Sequence, residues 1–381
     1  MNKNSRKDMV DLSSMRTRGR RKRRNKFRIA MNILCSFVLI LSVVALSGML
    51  ALGLRPLGAG GDNIEETASG LEPLIYSAHK ESSYILIVGV DNSESLTDVI
   101  MVACIDHEKD TMNILQIPRD TFIDTNVPTG KINAVYGSAR DGEAKINALR
   151  RKLSSHLGIP LDHYVTFTLE GFRNVVDAVG GVDIVITQPR GIDVEDFTTG
   201  EHYIMGPGEV HLDGHKAESF VRKRYQTSHM DPGYELGDIS RVQQQRIFYA
   251  ALAEKLKSMS MSQITEIATT CYDQIGTSMS LGEMLGYARE LQNISLDNVI
   301  MKSVPGQFCT YKKISYYSIH KQEYVDLFNQ YFNPYGDPLT VDDIRIRELH
   351  TAIGDEYESS VANEGGSLSE INDDNSQVDT E

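Results

Sequence analysis

The stretch "YILIVGVDNSESLTDVIMVACIDHEKDTMNILQIPRD", Tyr84 to Asp120, decides the fold. Three apolar runs, Tyr84–Val90, Val99–Ile105 and Met112–Ile117, are each of strand length and rich in Ile and Val. Short polar segments separate them, and Lys109 with Asp110 suits a hairpin between the second and third. The third run stops at Pro118, which cannot donate to a ladder, and passes to an adjacent cation and anion, Arg119 and Asp120. Taken alone, that pair reads as a solvated turn worth little energy. The other reading is that the strand presents it to something charged.

Downstream, strand and helix patterns alternate. From Lys131 to Leu157 the pattern is helical, with Leu149, Leu153 and Leu157 at four-residue spacing. "HYVTFTL" predicts a strand, "EGFRNVVDAV" a helix closed by Gly180 and Gly181, and "VDIVI" another strand. Helices are predicted over Gly214 to Phe220, Arg241 to Lys257 and Leu281 to Leu291, with "NVIMKSV" a late strand. Such alternation implies an α/β or α+β sandwich with a central sheet. There is no internal repeat.

Charge is distributed unevenly along the 381 residues. Residues 1–28 hold twelve Lys or Arg and two acids, a local net of about +10. Against a whole-chain net of −13, this leaves about −23 for the remainder. A basic head on an acidic body fits nucleic-acid binding or membrane orientation, and the next segment decides for the membrane. Residues 29–54, "IAMNILCSFVLILSVVALSGMLALGL", run twenty-six positions without a charge, enough helix to cross about 30 Å of hydrocarbon. The basic block precedes it, so the N-terminus is expected in the cytoplasm and the body outside. A cleaved signal peptide would have a shorter apolar core and a small-residue cleavage site. Residues 55–83 read as a stalk. From Asp355 on there are nine acids and no Lys or Arg, the composition of a disordered tail.

Of the four cysteines, Cys35 falls in the apolar span and Cys104 in a strand pattern. Cys271 and Cys309 could pair outside the cell, although nothing in their spacing requires it. No CxxC or His/Cys cluster points to zinc. GxSxG, HExxH and GxxxxGK[ST] are all missing, so a serine-hydrolase elbow, a zincin and a P-loop enzyme find no support.

The remaining candidates are carboxylates and arginines. Asp91 ends one predicted strand and Asp98 opens the next, so a short loop brings both to one sheet edge. They are either turn formers or two hard oxygen ligands for Mg²⁺ or Mn²⁺ that also meets substrate phosphates. Arg119, Arg222 and Arg224 of "FVRKRYQ", and Arg241 offer cations suited to bidentate phosphate binding. Arg222 and Arg224 share a face only if that segment is extended.

Seven stretches in order resemble the LytR–CpsA–Psr family of Gram-positive cell-envelope proteins. They are "YILIVGVD", "TDVIMV", "NILQIPRDT", "KINAVY", "GIPLDHYVTFTLEGFRNVVDAVGGVDI", "LDGHKAESFVRKR" and "GDISRVQQQ", covering roughly Tyr84 to Leu256. The resemblance implies an α/β/α sandwich with a central mixed sheet, preceded by one transmembrane helix. An apolar groove would hold a prenyl chain, with arginines at its pyrophosphate and Mg²⁺ nearby. It implies a membrane-anchored phosphotransferase that moves a glycopolymer from a polyprenyl pyrophosphate carrier to peptidoglycan, with no nucleic-acid partner. The polymers of such proteins are teichoic acids, capsular polysaccharides or related glycans. By motif position Asp91 and Asp98 would hold the metal, and Arg119, Arg222, Arg224 and Arg241 the phosphates. Asp120 would orient Arg119 or serve as a base. The family-like domain would span residues 84–257, with 258–354 closing the sandwich or forming a small appended subdomain and 355–381 trailing as the acidic tail.

The chain departs from the family pattern where cations are usual. Leu96 stands two residues before Asp98, Asn92, Ser93 and Glu94 follow Asp91, and Gln244 replaces the second arginine of "RxxRQQ". Arg246 or Arg140 could compensate. The rival functions are a non-catalytic member that binds the lipid carrier or regulates the envelope, and an extracytoplasmic pyrophosphatase using water as acceptor.

Overall fold

The computed structural model describes residues 74, 76–91, 93, 95–123, 126–140, 143–196, 199–223, 238–272, 275–349 and 367–371. The basic segment 1–28, the apolar span 29–54 and most of the stalk therefore lie outside the described residues. No described helix is long and apolar enough to cross a membrane.

The opening stretch forms three antiparallel strands, β1 (Ser82–Val90), β2 (Thr97–Asp106) and β3 (Thr111–Gln116). Asp106 builds the hairpin between β2 and β3: its carboxylate accepts from the N–H groups of Glu108 and Lys109, and Asp110 takes a positive φ of 50°. After helix α1 (Lys145–Leu157) the chain enters β4 (His163–Thr168), which lies parallel to β1. Helix α2 (Leu169–Ala178) follows, its first turn capped by the Thr168 hydroxyl.

Two small ribbons come next, β5 (Val182–Ile186) with β8 (Gly208–Leu212), and β6 (Ile192–Glu195) with β7 (His202–Met205). Helices α3 (Gly214–Arg222), α4 (Asp238–Lys257), α5 (Met261–Cys271) and α6 (Leu281–Asn293) then stack on one face. Short β9 (Gly276–Thr277) and β10 (Val299–Ser303) extend the main sheet. A hairpin, β11 (Gly306–Tyr311) with β12 (Ile314–Ile319), and helix α7 (Lys321–Tyr331) follow.

The central sheet runs β10-β3-β2-β1-β4-β9 and is mixed, with parallel β1/β4 and β3/β10 pairs and antiparallel neighbours elsewhere. Period-two alternation divides its side chains between two cores. On β1, Ile85 and Ile87 enter the core under α2 to α6, while Tyr84, Leu86 and Val88 enter the opposite core with α1 and α7. Leu149, Leu153 and Leu157, the four-residue series in the sequence, are all buried in the second core. Strands buried on both faces carry continuous apolar runs.

Two expectations need correction. The helical pattern from Lys131 begins as two 3₁₀ turns, Ile132–Ala134 and Tyr136–Ser138, and α1 starts only at Lys145. Arg222 ends α3, and Arg224, with which it would share a face only in an extended segment, lies outside the described residues. The acidic tail is ordered over residues 367–371: Ser367 bridges to Ile300 on edge strand β10, and Leu368 is 2 % exposed. Leu368 and Ile371 are apolar residues in a polar run, and the sheet edge supplies them with a partner. Cys271 and Cys309 are both free and buried, in different cores, Cys271 on α5 and Cys309 on β11.

Candidate active site

The site grows from the way β2 and β3 end. Thr97 pairs with Val90 and Val99 with Gly89, which leaves Asp98 as the extra residue of a bulge that re-aims its side chain at the sheet edge. β3 ends at Gln116, and Ile117 makes a last bond to the Ile100 carbonyl. Pro118 has no N–H, so the ladder stops there and Pro118–Thr121 closes a turn, with the Thr121 N–H and hydroxyl on the Pro118 carbonyl at 3.0 and 2.6 Å.

Both residues inside that turn are pinned through their backbone. The Arg119 carbonyl accepts from Asn133 N–H and the Asp120 carbonyl from Tyr317 N–H. Arg119 Nη1 then donates to Asp98 Oδ1 at 2.5 Å. Asp120 stands between two cations, with Arg119 Nε 3.7 Å from Oδ2 and Lys131 Nζ 2.8 Å from Oδ1. The four side chains are 17–26 % exposed, so the cluster is partly shielded from water. Arg119 Nε is buried and has no hydrogen-bond partner among the described residues. A buried unpaired donor costs about 1–3 kcal/mol, which is tolerable where a ligand supplies the acceptor.

Asp91 sits just beyond β1 and organises its own loop. Its carboxylate accepts from the Ser93 hydroxyl at 2.6 Å and from the N–H groups of Ser95 and Leu96 at 2.9 and 3.0 Å. Burial alone would raise this carboxyl, but those hydrogen bonds outweigh it and hold it below the ordinary carboxylate value. The loop lies against the first 3₁₀ turns: a Cβ on Gly137 would fall 2.4 Å from the Ser95 carbonyl oxygen. Only glycine allows that approach.

A hard divalent cation fits the chemistry of this edge. Asp91 is an ionised carboxylate, and Asp98 spends one oxygen on Arg119. Among the described residues no group of three or more His, Cys, Asp or Glu side chains converges, and the carboxylates that could hold such an ion at this edge are Asp91 and Asp98.

Behind the charged cluster the protein opens. A small cavity, about 310 Å³ of empty space, is lined by Asp98, Gln116, Arg119, Gln245 and Ser303. Met101 walls both this mouth and a second, apolar cavity of about 710 Å³ between the sheet and helices α2 and α4. Ile87, Ile114, Phe167, Phe172, Tyr249 and Leu252 are among its walls. A third apolar space of about 480 Å³ adjoins it, sharing Met112, Ala253 and Leu368.

The remaining sequence candidates are placed unequally. Arg222 is tied to Glu218 at 2.6 Å, and the same buried carboxylate also pairs with Arg173. Arg224 lies outside the described residues, and Arg241 lies near the start of α4 with its side chain outside them. Gln244 is fully buried. Arg246 is buried beneath the mouth, donating to Gln116 at 3.1 Å and Ser303 at 2.8 Å, two residues that line it. Arg140 is exposed. Lys131 and Gln116 were not singled out from sequence. Lys131 lies within "KINAVY", but nothing in its spacing marks a lysine fifteen positions after a strand as facing that strand's end.

The described domain thus sets a charged mouth beside an apolar cavity on one face of a mixed sheet. The chain belongs to the LytR_cpsA_psr family, whose model matches residues 61–333. It is similar to the polyisoprenyl-teichoic acid–peptidoglycan teichoic acid transferase TagV of Bacillus subtilis, 27% identical over 294 residues, 73% of this chain and 71% of that protein. TagU of Bacillus mycoides, a transferase of the same description, is 28% identical over 246 residues, 64% of this chain and 74% of that one. Among solved structures, B. subtilis TagV superposes with a TM-score of 0.54 at 24% identity, covering 66% of this chain and 96% of the other. TagT bound to LIIa-WTA does so with a TM-score of 0.55 at 21% identity, covering 70% and 97%. These two likenesses establish the shared mixed α/β fold.

Proposed function

We propose that this chain transfers a glycopolymer of the teichoic-acid class from a polyisoprenyl pyrophosphate carrier to peptidoglycan, in cell-wall assembly. The observation that carries the proposal is the shared Met101 wall, which sets the Asp98–Arg119 mouth directly against an apolar cavity. Relatives described as polyisoprenyl-teichoic acid–peptidoglycan teichoic acid transferases support it.

In this reading the prenyl chain enters the apolar cavity and its pyrophosphate stays at the mouth. The acceptor hydroxyl oxygen attacks the polymer-bearing phosphorus as the bond to the bridging oxygen breaks. Polyprenyl phosphate leaves with that electron pair, and the hydroxyl proton passes to solvent. The phosphate remains with the polymer as a phosphodiester. Such a transfer needs charge neutralisation and alignment more than a covalent nucleophile. Arg119 supplies its unpaired Nε–H to a phosphate oxygen. Asp98 and Asp120 hold the guanidinium in place, and Lys131 fixes Asp120. Arg246 contributes buried positive charge behind Gln116 and Ser303. Arg222, Arg224 and Arg241, assigned to phosphate by motif position, would add to this positive charge. Bound at Asp91 and Asp98, Mg²⁺ or Mn²⁺ would neutralise developing charge.

The helices on both faces make the architecture an α/β/α sandwich. The apolar span 29–54 anchors it, with the N-terminus cytoplasmic and the catalytic body on the outer face. Full-length protein in nanodiscs, given a polyprenyl pyrophosphate glycan, peptidoglycan fragments and Mg²⁺, is expected to form a phosphodiester-linked product. Bound donor that is neither transferred nor hydrolysed would overturn the enzymatic reading. Release of glycan phosphate to water alone would indicate a pyrophosphatase.

A further inference from the structure

The apolar space behind the mouth forms two adjoining cavities with three wall residues in common, one of which comes from far along the chain. Met112, Ala253 and Leu368 line both the 710 Å³ and the 480 Å³ cavities. Met112 is fixed in central strand β3 and Ala253 in long helix α4. Leu368 belongs to the five-residue segment 367–371, whose attachments among the described residues are few. Ser367 forms one antiparallel bridge with Ile300, the Ser369 hydroxyl donates to Asp297, and Ile371 packs partly buried. Ser367 and Glu370 otherwise bond to each other, N–H to carboxylate at 2.8 Å and N–H to hydroxyl at 3.2 Å. Even so, Leu368 is almost completely buried. The surrounding sequence, from Asp355 to Glu381, carries nine acids and no Lys or Arg, a composition that favours solvent over burial.

We propose that residues 367–371 form a latch, with Leu368 as the bolt that limits how much of a long apolar chain the cavity accepts. Closed, the latch leaves two separate apolar spaces. Open, it joins them into one groove, from the Asp98–Arg119 mouth past Met101 to the neighbourhood of Leu296 and Ile294. The substrate class is the polyprenyl chain of the proposed donor, so the inference rests on that reading. It adds that this chain's own C-terminal segment sets the accepted length.

The test compares full-length protein with two variants. One ends at residue 366 and lacks the latch. The other, Ile300→Cys with Ser367→Cys, locks it: the two are antiparallel partners, whose Cα separation suits a disulfide, and a reductant reverses the lock. Binding is measured with farnesyl pyrophosphate and with a C55 polyprenyl pyrophosphate. Truncation is expected to tighten C55 binding at least about tenfold, equivalent to roughly two more buried methylenes, and to leave farnesyl binding unchanged. The oxidised lock is expected to weaken C55 binding and to recover on reduction. Equal effects on both chain lengths, or weaker C55 binding after truncation, would overturn the latch. A naphthalene-sulfonate dye provides an apolar probe that needs no carrier chemistry. Dye signal that rises on truncation and falls in the lock, without binding of any prenyl pyrophosphate, would sink the lipid reading and leave the latch. Dye signal unchanged in both variants would overturn the latch whatever the lipids do.

Discussion

The two faces of the central sheet are built from the same residue types and end differently. Toward α1 and α7, Tyr84, Leu86, Val88 and Val102 meet Leu149, Leu153 and Phe328 in a core closed to both apolar cavities. Toward α2 and α4, Ile85, Ile87, Met101 and Ile114 form an equally apolar wall, but Phe172, Tyr249 and Leu252 stand back and leave about 710 Å³ open. Hydrophobicity buries both faces, and the apolar cavity opens on the side of α2 and α4. A close-packed interior gains dispersion contacts that a cavity wall lacks, so the open face is less stable and must be offset elsewhere.

The sharpest test sets neighbouring residues of β1 against each other. Leu86→Ala on the closed face is expected to cost about 2–5 kcal/mol, measured by denaturant unfolding. Ile87→Ala on the open face should cost less, because Ile87 already borders empty space. Equal losses would erase the distinction between the faces. Next in size, Arg119→Ala is expected to reduce transfer roughly 100- to 1,000-fold, about 2.7–4 kcal/mol, with the unfolding midpoint little moved. Lys131→Ala should reduce it less, since Lys131 acts only through Asp120.

Filling the open face from α4, Ala253→Phe is expected to weaken polyprenyl pyrophosphate binding by about tenfold while Arg119 still binds inorganic pyrophosphate. Loss of both would mean that mouth and cavity are not separate subsites. The smallest effect concerns pH. Asp91 is held below its ordinary value of 3.8, so its ionised form and the loop contacts it makes are intact above that value and are lost only as pH falls through the lowered one. Ser93→Ala removes one of the bonds, and the Asp91 midpoint followed by NMR should rise toward 3.8.

The strands were legible because β1, β2 and β3 each carry a strand-length run of mostly apolar residues, and α1 because its leucines recur every four residues. The start of α1 was not, since Ile132, Ala134 and Val135 bury a 3₁₀ turn with the same residue types that a helix would use. Asp98 and Arg119 were suggested by their position at strand ends, and the family resemblance pointed to phosphate. Their ion pair, and the participation of Lys131, Gln116 and Ser303, could not be read. These residues come from separate segments, and Ser303 enters only through the parallel pairing of β10 with β3. Glu218 was equally hidden. It binds Arg222 one helical turn away, within reach of sequence reasoning, but its burial and its second partner Arg173 depend on how α2 packs on α3.

The sequence by itself determined the strands β1 to β5 and β10, the helices α2 to α4 and α6, the break at Pro118 and the family, because these follow from side-chain periodicity and from residues adjacent in the chain. The short strands β6 to β9, the β11–β12 hairpin, α5 and α7 were not read from it. Tertiary structure alone decided which face kept a cavity, which cations meet Asp98 and Asp120, and that Leu368 returns from an acidic tail to divide the apolar space. Those outcomes depend on distances between segments far apart in sequence, set by packing volume and strand pairing, and no local pattern encodes them.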